Sequence, residues 1–387
     1  MTSVERIYLD NAATTPVRPE VVEAMLPYFT ANGYNPSSVH AEGRAARAAL
    51  DDARSRVARC LGAKSKEIVF TGGGSEADNL ALIGVARALK SRGRHLISTV
   101  VEHHAVLHAL EALREDGWDV TLLAVDRDGR VSPEAFTAAI RPDTVLASVM
   151  YVNNELGTVA PVRELAAAAH RHGVLFHTDA VQAGAYLPLD VVGLGVDLLS
   201  LAAHKFYGPK GTGILYVRDG TPVQAILHGG SQEFAKRAGT ENVAGVVGLT
   251  TALELAMDER TESAARIATL RDAFEARVLS AIPDVRVNGG AARAPHISNL
   301  SFLGVTSEQL LMRLDIDGIA VSAGSACASG AVEPSHVIAA LGLPERWMRG
   351  VIRFSLGRTT SRQQIDRAAE VLEQAVADLR SISPAPA

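Results

Sequence analysis

From about residue 65 to residue 219 the chain alternates short apolar runs with stretches whose apolar residues recur at helical spacing. The runs are "EIVF" (67–70), "HLISTV" (95–100), "VTLLAV" (120–125), "TVLASVMYV" (144–152), "VLFH" (174–177), "VDLLSLA" (196–202) and "GILYV" (213–217). Runs this short, closed by polar or glycine-bearing turns, predict buried strands. The segments 75–93 and 161–173 predict helices, the second opening on proline and closing on glycine. Strands alternating with helices at this spacing predict an α/β fold built on a mostly parallel seven-stranded sheet with flanking helices.

The period changes past residue 244. Residues 244–281 read as one long Ala/Leu/Arg/Glu-rich helical stretch interrupted near "MDERTES" (257–263), and mixed strands and helices follow. A smaller α+β C-terminal domain is therefore expected to begin near 255–260. The closing "SISPAPA" is expected to fray. No internal repeat is present, and the alanine richness favours helix.

The 387 residues, 47% hydrophobic and 21% charged, match an ordinary globular chain that needs no cross-links. Cys60 and Cys327, far apart in sequence, form neither a disulfide framework nor a metal-binding pair, which points to a reducing, cytoplasmic setting. A net charge of −5 argues against direct binding of nucleic acid. No apolar run approaches the roughly 18 residues of a membrane span. The opening "MTSVERIYLDNAATTP" lacks the apolar centre of a secretory signal.

Ligands of open α/β sheets bind beyond the carboxyl ends of the strands. After 67–70 comes "TGGGSEADN", where Gly74 and Ser75 open a helix whose free amides suit a phosphate. The spacing fits neither the dinucleotide nor the nucleotide-hydrolase motif. After 95–100 come His103, His104 and His108. A third metal ligand is not suggested by spacing, so no metal is expected. One of these rings, at the strand-to-helix turn, is placed to shuttle a proton or stack on a ligand, while surface histidines on a helix is the competing reading for His104 and His108. After 174–177 comes "HTDAVQ", with Asp179 and Gln182, and after 196–202 comes "AHKFYGPKG", with His204 and Lys205. Asp179 and Lys205 admit a plain salt bridge. With the phosphate cradle they also supply the three fixtures of a pyridoxal phosphate enzyme: a carboxylate for the pyridine nitrogen, an amine that forms a Schiff base, and an anion site. Cys327 in "SAGSACASG" (322–330) sits among small residues, where a thiol is accessible and reactive, whereas Cys60 in "VARCLG" (57–62) reads as packing.

These residues lie in ordered blocks that resemble the cysteine desulfurases of the NifS/IscS type, in the class V branch of the pyridoxal phosphate aminotransferases. The blocks include "IYLDNAATTPV" (7–17), "EHHAVL" (102–107), "VNNELGT" (152–158), "HKFYGPKGTGILYVR" (204–218), "RAGTEN" (237–242) and "IRFSLGR" (352–358). The resemblance implies the pyridoxal phosphate-dependent transferase fold type I. Residues 15–257 would form the large cofactor-binding domain, and 1–14 with 258–387 the small domain carrying the catalytic cysteine loop. It implies a homodimer that binds pyridoxal 5'-phosphate and converts L-cysteine to L-alanine. Sulfur would pass to Cys327 as a persulfide, then to a protein acceptor serving iron–sulfur cluster assembly, tRNA thiolation or DNA phosphorothioation.

The same resemblance implies individual roles. Lys205 carries the cofactor and moves the Cα proton, Asp179 pairs with the ring nitrogen, Gln182 bonds the ring hydroxyl oxygen, and His103 lies against the ring. Ser75, His204 and the amides near Gly74 hold the phosphate, with Thr240 donated across the dimer. Asn154 and Arg353 hold the substrate carboxylate. Ala202 departs from the family's serine, at an expected loss of roughly 1.5–3 kcal/mol for one bond to a charged group. The chain also ends without the extended tail that scaffold-docking relatives carry. A selenocysteine lyase and a class V aminotransferase for a small amino acid are the rival activities, the latter needing no loop thiol. A non-catalytic scaffold is opposed by the complete set Lys205, Asp179, His103 and Cys327.

Overall fold

The computed structural model describes residues 6–324 and 334–382. Each of the seven apolar runs forms one strand of a single sheet: β1 (Ile68–Thr71), β2 (His95–Thr99), β3 (Asp119–Leu123), β4 (Thr144–Ser148), β5 (Leu175–Asp179), β6 (Leu198–Ala202) and β7 (Gly213–Val217). Their order across the sheet is β1-β7-β6-β5-β4-β2-β3. β7 runs antiparallel to β6 and β1, and the remaining pairings are parallel. All seven strands therefore present six carboxyl ends on one edge, with β7 reversed. β1, β2, β4, β6 and β7 are buried at every position, which is why they read as unbroken apolar runs rather than alternating ones.

Helices α1 (Ala41–Leu61), α2 (Gly74–Leu89) and α3 (His104–Glu115) precede a helix of 39 residues, α4 (Val243–Ala281). The interruption expected at 257–263 is absent: α4 runs straight through it. That stretch has neither glycine nor proline to stop a helix, and its side chains are exposed or half-buried, so the polar patch reflects solvent on that turn and not a change of backbone. The division expected at 257/258 thus falls inside one helix, whose buried residues are concentrated in Val243–Ala256 and Ile267–Val278.

Beyond α4, the strands Val285–Asn288, Ile297–Phe302 and Val351–Ser355 form an antiparallel sheet with Ile297–Phe302 in the middle. The N-terminal strand Ile7–Tyr8 pairs in parallel with Ile319–Ala320, and Asp10 bridges Ser355. The two ends of the chain are thereby sewn together, which carries residues 10–13 and Arg353 to the carboxyl edge of the large sheet. Among the described residues no helix is long and apolar enough to cross a membrane.

Candidate active site

A cavity of about 320 Å³ opens at that edge, within the range of small-ligand sites. Gly74 and Ser75 reach it after β1, His103 after β2 and Asn154 after β4. Asp179 and Gln182 line it at and beyond the end of β5, and His204 and Lys205 after β6. Arg353 comes from the small antiparallel sheet. Nine residues picked from sequence therefore share one cavity.

The β1–α2 turn is built for close approach. Gly73 has φ +147°, a backbone state that side chains oppose, and a Cβ on Gly74 would lie 2.8 Å from Val181 Cγ2. Among the described residues no acceptor meets the N–H groups of Gly74, Ser75 or Glu76, the orphan donors of a helix start. Ala202 lies on the same wall. His204 Nδ1 is 3.2 Å from Thr14 Oγ1, and burial followed by Lys205 lowers its pKa to about 4, so the ring is neutral.

Lys205 Nζ donates to Ala12 O at 2.6 Å and Ala13 O at 2.8 Å. Burial, then Arg353, lowers its pKa to about 8, against the opposing pull of Asp179 and Asp10. Asp179 is buried and accepts from the Val181 N–H at 2.9 Å; burial raises its pKa, and His103, that N–H and Lys205 draw it back. Gln182 Nε2 donates to Ala12 O at 2.8 Å, and its Oε1 lies 3.4 Å from His296 Nε2. His103 caps α3, its Nδ1 accepting the Ala105 N–H at 3.1 Å. The protein around its ring lowers its pKa first, opposed by Asp179.

Arg353 is buried, with one terminal nitrogen donating to Asn154 O and the other to Asp10 Oδ1, both at 2.8 Å. Among the described residues its Nε is buried without a partner. Asp10, Ala12, Ala13 and Asp78 are participants that sequence reasoning gave no role. Asp10 lay inside a quoted block, so the signal was present. The Ala12 and Ala13 contributions are carbonyls, which leave no trace in side-chain identity. Asp78, one turn beyond Ser75, is buried on the cavity wall, where burial and then Asp179 push its pKa well up.

Thr240 is exposed and does not line this chain's cavity. Cys327 lies outside the described residues, although Gly324, three positions before it, lines the cavity. His104 lines the rim and stacks on His108 at 5.1 Å and against His336 at 4.8 Å. Among the described residues no group of three metal-ligating side chains is positioned to hold an ion.

A fold of this kind, with an amine and a buried carboxylate at the carboxyl edge of the sheet, is that of a class-V aminotransferase, and the chain belongs to that family, whose model matches residues 7–368. Relatives matching along nearly its whole length are cysteine desulfurases. The cysteine desulfurase IscS of Dictyoglomus turgidum is 49% identical over 379 residues, covering 98% of this chain and 96% of the relative. A solved NifS-like protein matches with a TM-score of 0.91 at 34% identity, over 96% of this chain and 100% of that one. SspA in complex with cysteine matches with a TM-score of 0.81 at 37% identity, over 90% of this chain and 98% of that one.

Proposed function

We infer that the chain is a pyridoxal 5'-phosphate-dependent cysteine desulfurase, which moves sulfur from L-cysteine onto Cys327 and leaves L-alanine. The observation that carries this reading is the meeting of Lys205, Asp179 and the orphan amides of residues 74–76 in one cavity, with Arg353 brought in from the smaller sheet. The donor set fits the cofactor. Ser75, His204 and the amides near Gly74 would hold the phosphate, Asp179 the ring nitrogen and Gln182 the ring hydroxyl. His103 would contact the ring, and Lys205 would supply the covalent attachment. When bound, the cofactor supplies a sink for the electron pair freed at the substrate's Cα.

Arg353 and Asn154 grip the substrate carboxylate, the planar guanidinium fork suiting that group. Lys205 moves the Cα proton at Nζ, and its lowered pKa provides the neutral amine that this task requires. His103 exchanges the substrate thiol's proton at Nε2, because Nδ1 is taken by Ala105. Cys327 acts as thiolate, of which an unperturbed thiol with pKa near 8.5 offers only about 3% at pH 7. A sulfur–sulfur bond forms to Cys327 as the substrate's Cβ–S bond breaks. The electron pair stays with carbon, which gains a proton and becomes the methyl group of alanine. Carbon is reduced and sulfur oxidised, so no outside oxidant enters.

The working assembly is a cytoplasmic homodimer in which Thr240 serves the partner's phosphate site. Its units are 15–257 and, together, 1–14 with 258–387. The persulfide passes to an acceptor protein that a labelled-cysteine chase would reveal. Purified protein given L-cysteine and a reductant should release alanine and sulfide in equal amounts. Cys327→Ala should keep the cofactor's visible absorbance and lose sulfide release. Protein that stays colourless with added pyridoxal 5'-phosphate, or a Cys327→Ala variant that releases sulfide at the parent rate, refutes the reading.

A further inference from the structure

The turn that follows the N-terminal strand touches three site residues at once. Lys205 Nζ and Gln182 Nε2 both donate to Ala12 O, Lys205 Nζ donates to Ala13 O as well, and Arg353 donates to Asp10 Oδ1 at 2.8 Å. Ala12 and Ala13 act through carbonyls, and Asp10 acts through a charge. Arg353 lines the cavity and Asp10 does not, so this carboxylate touches the arginine and not a ligand. Resting on the role given to Arg353 in holding the substrate carboxylate, we propose that Asp10 is a positioning residue for substrate recognition, holding the guanidinium fork from outside the cavity and offsetting part of its charge at Lys205.

The geometry leaves the fork little freedom. The Arg353 backbone is fixed in its strand opposite Asn299 and exchanges hydrogen bonds with Ser322 at 3.2 and 2.6 Å. Its two terminal nitrogens then meet different acceptors, Asn154 O and Asp10 Oδ1, which sets the plane of the group. Of the five N–H donors of a guanidinium, those two contacts use two and leave the others for a ligand. The arginine side chain is 3% exposed and that of Asp10 20%, so the pair is sheltered from the solvent that makes surface ion pairs worth little. Asp10 is held in its turn. Tyr8 Oη donates to Asp10 O at 3.0 Å, the Ala13 N–H donates to the same oxygen at 3.1 Å, and the residues on either side, Leu9 and Asn11, exchange backbone hydrogen bonds with Ser355 at 2.7 and 3.2 Å.

The charge of Asp10 also reaches the amine. Arg353 disfavours the ammonium form of Lys205, while Asp179 and Asp10 favour it. The histidines facing Lys205, His103, His204 and His296, are each held below the ordinary histidine value by burial first, so they are neutral near pH 8. Without the Asp10 anion the arginine is less opposed, and Lys205 should give up its proton at lower pH.

The test uses the full-length protein and the variants Asp10→Ala, Asp10→Asn and Arg353→Met. In protein loaded with pyridoxal 5'-phosphate, inhibition constants against L-cysteine are measured for L-alanine and ethylamine, which differ by the carboxylate alone. In cofactor-free protein, attachment of pyridoxal 5'-phosphate to Lys205 is trapped with borohydride across pH, a reading independent of activity. Asp10→Ala should cut the preference for L-alanine over ethylamine by about tenfold, the effect of losing one hydrogen bond to a charged group. Asp10→Asn keeps an acceptor for Arg353 and loses the charge, so its attachment midpoint should fall below that of the parent. A merely structural role would weaken both inhibitors alike and leave the midpoint in place. Should Asp10→Ala not fold, the midpoint of Asp10→Asn decides. The parent preference in Asp10→Ala, an equal weakening of the two inhibitors, or a midpoint in Asp10→Asn at or above the parent's overturns the proposal. With the preference lost in Arg353→Met, such a result removes the role of Asp10 alone. A preference retained in Arg353→Met removes the role of the arginine, and that of Asp10 with it.

Discussion

The amine of Lys205 gives the most direct check of the site's electrostatics. Its pKa is lowered from the ordinary 10.5 to about 8, first by burial and then by Arg353. At pH 7 an amine with that pKa is about one-tenth neutral, against about three parts in ten thousand for an ordinary lysine, a ratio of ~300. Only the neutral amine attacks an aldehyde, so Lys205 should outrun an ordinary lysine side chain by about that factor. The assay mixes cofactor-free protein with pyridoxal 5'-phosphate from about pH 6 to about pH 11, spanning both pKa values, traps the adduct with borohydride and locates it by peptide mass. The rate should climb through a midpoint near 8, with the label on Lys205. Arg353→Met removes a cation that disfavours the ammonium form, so the midpoint should move up and the rate at pH 7 should fall. A midpoint at 10 or above, label on another lysine, or a midpoint that drops in Arg353→Met would refute the reasoning.

Two further outcomes concern the frame that holds the site. His177 is wholly buried between Ser148 Oγ at 2.8 Å and Ser200 Oγ at 3.0 Å, and burial lowers its pKa to about 3. The unfolded chain takes up that proton near 6.5 and the folded chain does not, so stability present above 6.5 drains away as pH falls toward 3. By pH 4.5 about 2–3 kcal/mol should be gone, seen in urea titrations as a narrowing gap between parent and His177→Gln; an unchanged gap would count against it. Arg54 and Glu233 form a buried two-pronged pair at 2.7 and 2.6 Å, and the same carboxylate accepts the Phe70 N–H at 2.8 Å. Glu233→Ala strands the guanidinium and should cost about 3–5 kcal/mol, whereas replacing both partners by apolar residues should recover most of it. A loss under about 1 kcal/mol in the single variant would show the pair to be solvated.

The large sheet was legible because most of its strands are enclosed on both sides, so burial wrote itself into sequence as short apolar runs. The same cause blurred their ends. The run 144–152 stays apolar past Ser148, where the strand stops, because Val149–Val152 remain buried, with Met150 and Val152 lining the cavity. At 257–263 the opposite happened: solvent exposure made the pattern polar and mimicked a break in a helix whose backbone does not change. Apolar patterning reports environment, and backbone only where environment and backbone coincide.

The site divides along a similar line. The polar residues that line the cavity at strand ends, such as Lys205, Asp179 and His103, could be picked out singly, since a polar group just beyond a buried strand has few structural reasons to be there. What sequence did not disclose is the set of contacts that makes them one site. Asp10 against Arg353, the Ala12 and Ala13 carbonyls against Lys205, and Ser335 against Glu155 each join positions about 180 or more residues apart. The first two depend on the N-terminal strand Ile7–Tyr8 pairing with Ile319–Ala320, two-residue strands too short to leave a period. The chemistry is thus carried by the large sheet, and its alignment by the least patterned part of the chain. Substitutions in residues 6–13 should therefore disturb attachment of the cofactor at Lys205 while leaving the large sheet folded.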